Sequence, residues 1–224
     1  MQGWRGVDFA LMTPAATARS RFFRLLILAI VAIAIAHALD ATAWRFARLL
    51  SVNDKDWGRL LRSMGYLPTW AVIALGFWLQ QRDHARRTEY AWALVLGPGL
   101  GGGVAELLKL SILRLRPDPD VFAYVFRPFA DGLLSNRGMG MPSSHVMVAF
   151  AGAAVLAQLY PRARWLWYAL AAGCAATRVL AMGHFVSDTV VAAVLGVLVG
   201  NWVWGRVNRG IVNRGIVTLP VPST

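Results

Sequence analysis

Cysteine is almost missing from this chain. The one residue, Cys174, lies in an apolar run, which rules out an internal disulfide. Carboxylates are also scarce: 11 Asp and Glu stand against 23 Lys and Arg, a formal net charge of +12. No cluster of carboxylates or cysteines is spaced as a ligand set for a divalent metal, so metal-independent chemistry without a cofactor is expected. Charged residues of all kinds make up 15% of the 224 positions, against 57% hydrophobic ones. That balance excludes an ordinary soluble surface and indicates one mostly membrane-embedded domain. The basic excess would raise the question of nucleic acid in a soluble protein. Here the basic residues sit between long apolar runs, where membrane topology and anionic phospholipid account for them, so no nucleic acid partner is expected.

An all-α, polytopic architecture with six transmembrane helices is predicted. Residues 1–21 form an arginine-bearing cytoplasmic tail, residues 22–205 the membrane domain, and residues 206–224 a second cytoplasmic tail. The first apolar run lacks a small-residue cleavage site and is read as a retained helix. The spans run from Leu25 to about Trp44, Met64 to Gln80, near Tyr90 to Leu113, Ser144 to Tyr160, Trp165 to Met182, and Phe185 to Trp204. Each comes close to the roughly 20 residues that cross a ~30 Å hydrocarbon core. His37 and Asp40 interrupt the first span near its end, and His37 is read as a packing residue. Residues 45–62 suggest an amphipathic segment on the membrane surface. Gly97-Pro98-Gly99 and Gly101-Gly102-Gly103 favour a kinked helix that lets neighbours approach closely. With no strand before it, this run is not a phosphate-binding loop. Residues 114–142 form the longest connection, an aromatic-rich loop expected to be ordered at the lipid interface. The tail repeats Asn-Arg-Gly-Ile-Val at 208–212 and 213–217, with no chemistry attached.

Six spans place both termini on one side, together with Arg19, Arg21, Arg24, Arg82, Arg86, Arg87, Arg162, Arg164, Arg206, Arg209 and Arg214. The positive-inside rule makes that side the cytoplasm. The other face carries Arg45, Arg48, Lys55, Arg59 and Arg62, so the bias is partial. On that outer face the topology gathers three polar groups. Lys109 and Arg116-Pro117 end the third span, Pro142-Ser143-Ser144-His145 opens the fourth, and Arg178, His184 and Asp188 flank the turn between the last two. Ionisable residues at such positions point to function. Taken singly, Lys109 has Glu106 one turn earlier as an alternative partner, and Arg116 can snorkel. Together, three cations and two histidines suit a phosphate ester. Lys109, Arg116 and Arg178 would neutralise its oxygens, with backbone N–H groups at Ser143 and Ser144 adding an anion site. Four residues apart on a helix, His184 and Asp188 can touch. A carboxylate on one imidazole nitrogen leaves the other free to attack phosphorus, and His145 remains to protonate the departing oxygen.

Lys109, six residues, Arg116-Pro117; Pro142-Ser143-Ser144-His145; Thr177-Arg178, five residues, His184, three residues, Asp188: this order and spacing resembles the three-part signature of the type-2 phosphatidic acid phosphatase superfamily. Those proteins are integral-membrane lipid phosphatases related to the vanadium haloperoxidases. The resemblance implies a phosphohistidine on His184 oriented by Asp188, with His145 as general acid. It also implies that Lys109, Arg116 and Arg178 hold the phosphate. Ser144 stands where the family usually has glycine, and Thr177 where it usually has serine. The expected activity is hydrolysis of a lipid phosphate or pyrophosphate at the outer face of a bacterial inner membrane, with that lipid and the surrounding bilayer as partners. Phosphatidic acid, phosphatidylglycerol phosphate, undecaprenyl pyrophosphate and lipid A are the candidate substrates. The rival expectations are a lipid phosphotransferase and a non-catalytic transporter or scaffold.

Overall fold

A helix that is apolar on every side has to be wrapped by other helices, and α5 (Ser144–Leu159) is such a helix. Every residue from Val146 to Leu156 except Phe150 is buried. In the computed structural model, which describes residues 14–47, 52, 55–130 and 135–213, six further helices form the bundle with it. They are α1 (Pro14–Ala47), α2 (Asp56–Ser63), α3 (Leu67–Gln80), α4 (Arg87–Ile112), α6 (Arg164–Leu180) and α7 (Val186–Asn213). No strand occurs among the described residues. Two isolated bridges, Arg114 to Phe126 and Leu115 to Met139, organise the connection between α4 and α5. Residues 131–134 of that connection lie outside the described residues.

Small residues set how closely the helices approach. A Cβ added at Gly200 on α7 would lie 2.3 Å from the Ala151 carbonyl oxygen on α5. One at Gly152 would lie 2.3 Å from the Trp70 ring of α3. The glycines expected to permit close contact do so on α4, where added Cβ atoms at Gly97 and Gly101 would crowd Val155 and Ala151 of α5. The helix runs on through Pro98 as one element. Outside this packed centre, α1 shows Leu25, Ile27, Leu28, Ile30 and Ile35 to its surroundings. Its buried positions are Ala36, Asp40, Trp44 and Ala47, a single stripe at helical spacing that faces α7 and α6.

Among the described residues three helices are long and apolar enough to cross a membrane, Phe22–Ala47, Arg87–Ile112 and Val186–Gly210, or four if the bent pair Asp56–Ser63 and Leu67–Gln80 is one span. The chain is an integral membrane protein. Of the other three predicted spans, α5 with 16 residues and α6 with 17 keep their expected bounds to within two residues, and α3, with 14, begins at Leu67 rather than Met64. The predicted second span starts at a 67° bend around Met64 to Tyr66, where α2, in the segment expected to be amphipathic, gives way to α3. The first and last helices extend beyond the predicted spans, since α1 begins at Pro14 and α7 continues to Asn213. The first copy of the tail repeat is therefore helical, and the second lies almost wholly outside the described residues.

Gly200→Ala tests the packing. The clash is with backbone, so neither partner can swing aside, and a loss of about 1–3 kcal/mol is expected despite alanine's better helix propensity. A Cβ at Gly76 meets nothing within 4 Å, so Gly76→Ala should be neutral or slightly stabilising. Thermal unfolding in detergent compares the two. Equal midpoints would show that α5 and α7 are not in the contact described.

Candidate active site

His184 sits in the turn between α6 and α7, and the chain is bent tightly to put it there. Met182 adopts a left-handed conformation at φ 55°, which a non-glycine residue rarely tolerates. Gly183 then passes so close to Arg178 that an added Cβ would lie 2.6 Å from the guanidinium. The turn buries His184 to 3% exposure and directs Nδ1 at the Gly140 carbonyl oxygen, 2.6 Å away. A carbonyl only accepts, so Nδ1 carries the hydrogen and Nε2 keeps its lone pair. Burial holds this imidazole well below the ordinary histidine range, and the charge of Arg178 acts in the same direction. At neutral pH the ring is therefore neutral, with a free nitrogen of the kind a nucleophile needs.

Asp188 does not make the direct bond to His184 that the four-residue spacing suggested. Its Oδ2 is 3.9 Å from Nδ1 and accepts the Phe185 N–H at 2.8 Å instead. Oδ1 accepts from Arg114, through Nε at 3.0 Å and also through Nη2. The Gly140 carbonyl thus selects the tautomer. Asp188 fixes the backbone beside the histidine and places a negative charge within reach of it.

Arg114 is the residue that the motifs did not reveal. It is 3% exposed, donates from Nη2 to Ser187 Oγ at 2.7 Å, and lies over the rings of Tyr124 and Phe185 at 5.0 and 5.2 Å. Ser187 hands the network on to α1, donating from Oγ and N to Asp40 at 2.6 and 2.9 Å. Tyr124 donates its hydroxyl to the same Asp40 at 2.7 Å, and its own ionisation is pushed up to about 12 by burial and by that carboxylate. Asp40, which looked like a mere interruption of the first span, is a buried connector. A carboxylate inside an apolar span is the signal that could have found Asp40.

The cations of the expected phosphate site surround the start of α5. Lys109 Nζ donates to Ser144 Oγ at 2.5 Å and to Glu106 at 2.8 Å, so the alternative partner is used as well. Glu106 also accepts from Ser144 and, at 2.6 Å, from Asn136. Arg178 is buried and has no carboxylate partner among the described residues. Three buried polar atoms here have no protein hydrogen-bond partner: Ser143 Oγ, His145 Nε2 and Arg178 Nε. The Ser143 N–H is directed at the Asp188 carbonyl at 3.4 Å, so its hydroxyl rather than its amide is the free donor. Arg116 is exposed, yet its charge acts on both histidines. Gly65, in the bend between α2 and α3, packs so tightly on His145 that an added Cβ would lie 2.6 Å from its Cβ. Tyr66 sets its ring edge-on to the His145 ring at 5.0 Å.

Arg114→Met tests the buried pair. Removing the cation leaves Asp188 charged and unpaired, at an expected cost of about 3–5 kcal/mol. Adding Asp188→Asn removes that orphaned charge, so the double variant should be more stable than Arg114→Met alone. Denaturant unfolding of the four proteins in one detergent measures the coupling. A double variant destabilised by the sum of the singles would contradict the pairing.

The fold is also that of a solved structure. A crystal structure titled as the first transmembrane PAP2 type phosphatidylglycerolphosphate phosphatase from Bacillus subtilis superposes with a TM-score of 0.55. The match covers 84% of this chain and 96% of that one, and at 20% identity it establishes the fold. A lipid A 1-phosphatase of Rhizobium etli is 33% identical over 115 residues, which are 50% of this chain and 45% of the relative. The chain thus matches less than half the length of that relative. Residues 90–211 match the PAP2 superfamily, a stretch that contains all three motifs and more than half of the chain. The protein therefore belongs to the PAP2 superfamily.

Proposed function

We propose that the protein is a lipid phosphatase whose nucleophile is His184, working through a phosphohistidine. One observation carries this reading above the others. A buried, neutral imidazole with its Nδ1 hydrogen committed to Gly140 sits in the same motif constellation as three buried polar atoms that no protein group satisfies. Nε2 attacks phosphorus and the bond to the leaving oxygen breaks. Lys109, Arg116, Arg178 and Ser143 Oγ meet the charge on the equatorial oxygens. Ser144 acts at one remove, holding Lys109 in place. His145 protonates the leaving oxygen, because the incoming phosphate favours its imidazolium form. Water then attacks the N–P bond, gives its proton to His145, and regenerates His184 as orthophosphate leaves. Asp188 stabilises the charged imidazole that forms in between. Among the described residues no three His, Cys, Asp or Glu side chains converge as a metal site, and cations supply the charge this chemistry requires.

The topology supports a lipid substrate. We read six membrane passages, with α2 lying at the surface and the short helices α3, α5 and α6 completing the bundle. Arginine-flanked ends then face the cytoplasm and the site faces outward, at the headgroup level of an inner membrane. The relatives, named for phosphatidylglycerolphosphate and lipid A, point to a phosphate on a membrane lipid. A lipid in that leaflet reaches His184 without crossing the bilayer, and its chains position the phosphorus. The phosphotransferase alternative differs only in which acceptor meets the phosphohistidine.

Phosphate release from a panel of lipid phosphates in detergent, with chelator present, is the direct test. The wild-type protein should turn over without an acceptor lipid, and vanadate should inhibit it as a mimic of the trigonal-bipyramidal state. His184→Ala should lower kcat by about a thousandfold or more while leaving the protein folded. A short-chain soluble phosphate ester should be a much poorer substrate. Near-normal release by His184→Ala would remove the mechanism, and strict dependence on an added divalent ion would remove the metal-free chemistry.

A further inference from the structure

The phosphatase reading leaves one cation without a task. Arg62 ends the surface helix α2, and among the described residues no carboxylate pairs with it. Asp56, on the same helix, is taken by Arg59 at 2.6 Å. The Arg62 Nε is buried and has no hydrogen-bond partner. The segment that carries it is firmly seated. Leu61 fills the space over Gly173 of α6, Cys174 Sγ approaches the Arg62 carbonyl at 3.9 Å, and Gly65 abuts His145. An arginine held half-buried with no carboxylate partner is costly unless an anion joins it.

Its position says which anion. The Arg62 guanidinium carbon lies over the Tyr66 ring at 5.7 Å, and that ring meets His145 at 5.0 Å. Arg62 therefore approaches the site from the side of His145, the group assigned to the leaving oxygen. A phosphate ester of a simple alcohol leaves as a neutral hydroxyl once protonated and needs no cation there. A leaving group that itself bears a phosphate does.

We infer that Arg62 binds a second anionic phosphate on the leaving-group side of the scissile one, so that the favoured substrate is a lipid carrying two phosphates, of which the outer is removed. This rests on the phosphatase reading. His184 Nε2 bonds to the outer phosphorus as its bond to the leaving oxygen breaks. The electron pair stays with that oxygen, His145 supplies the proton, and Arg62 balances the charge of the inner phosphate. The inner group can be joined directly, as in a lipid diphosphate, or through a polyol, as in phosphatidylglycerol phosphate.

The test compares an isoprenyl diphosphate, phosphatidylglycerol phosphate and phosphatidic acid as substrates of the full chain in detergent. At least one two-phosphate lipid should exceed phosphatidic acid in kcat/KM by about tenfold, and whichever does so identifies the linkage. Arg62→Ala should lose at least about ten times more on that lipid than on phosphatidic acid, with Arg62→Lys recovering part of the difference. Methylenediphosphonate should inhibit the wild-type protein more strongly than inorganic phosphate, and Arg62→Ala should erase the gap. Equal losses on all substrates, a wild-type preference for phosphatidic acid, or equal inhibition by the two anions would overturn the inference while leaving the phosphatase reading intact. No release from any lipid would remove that reading and this inference with it.

Discussion

Arg114 and Asp188 meet almost out of contact with water, and the position of that pair governs how this end of the helix bundle is assembled. A single buried charge is tolerated only with a partner, so the end of α4 and the start of α7 must come together for either residue to be ionised. Ser187 and Asp40 extend the requirement to α1, a helix that turns Leu25, Ile27, Leu28, Ile30 and Ile35 outward. The aromatic rings of Tyr124 and Phe185 close over the guanidinium and shut out solvent. In consequence the Phe185 backbone is held, and the adjacent His184 presents one nitrogen to Gly140 and the other to the site.

That arrangement separates two jobs that the His–Asp spacing seemed to combine. The tautomer is chosen by a backbone carbonyl at 2.6 Å, and the carboxylate, 3.9 Å away, contributes charge and position. The proposed phosphate-binding side is built differently. There Lys109 is steadied by Ser144 and Glu106, while Arg178 and Ser143 are left with unsatisfied polar atoms. One half of the site is saturated with internal bonds and rigid. The other keeps the donors that an anionic substrate requires.

The motifs of this site could be read from the sequence because they are ionisable residues placed at the ends of apolar runs, where charge is conspicuous. Their gathering at one end of the bundle also followed, since helix order alone brings Lys109, His145 and His184 together. Arg114 stayed hidden because it lies two residues before Arg116 in a Leu-Arg-Leu-Arg stretch. Nothing local says which of the two arginines turns inward; the left-handed Leu113 that ends α4 immediately precedes the buried one. Arg62 was hidden by its helix, because a cation on an amphipathic surface segment ordinarily faces headgroups. The bounds of α5 and α6 were legible to within two residues, whereas α3 starts late because the chain bends sharply at Met64 to Tyr66 inside a stretch that is still apolar.

The central claim is that His184 Nε2 becomes bonded to phosphorus. Rapid mixing with a labelled lipid phosphate, quenching in alkali to preserve a phosphoramidate, and mapping the phosphopeptide by mass spectrometry tests it most directly. A phosphoryl group on His184, formed and discharged at rates compatible with turnover, is the predicted result. Turnover with no phosphoenzyme, or with label on His145 instead, would contradict the account.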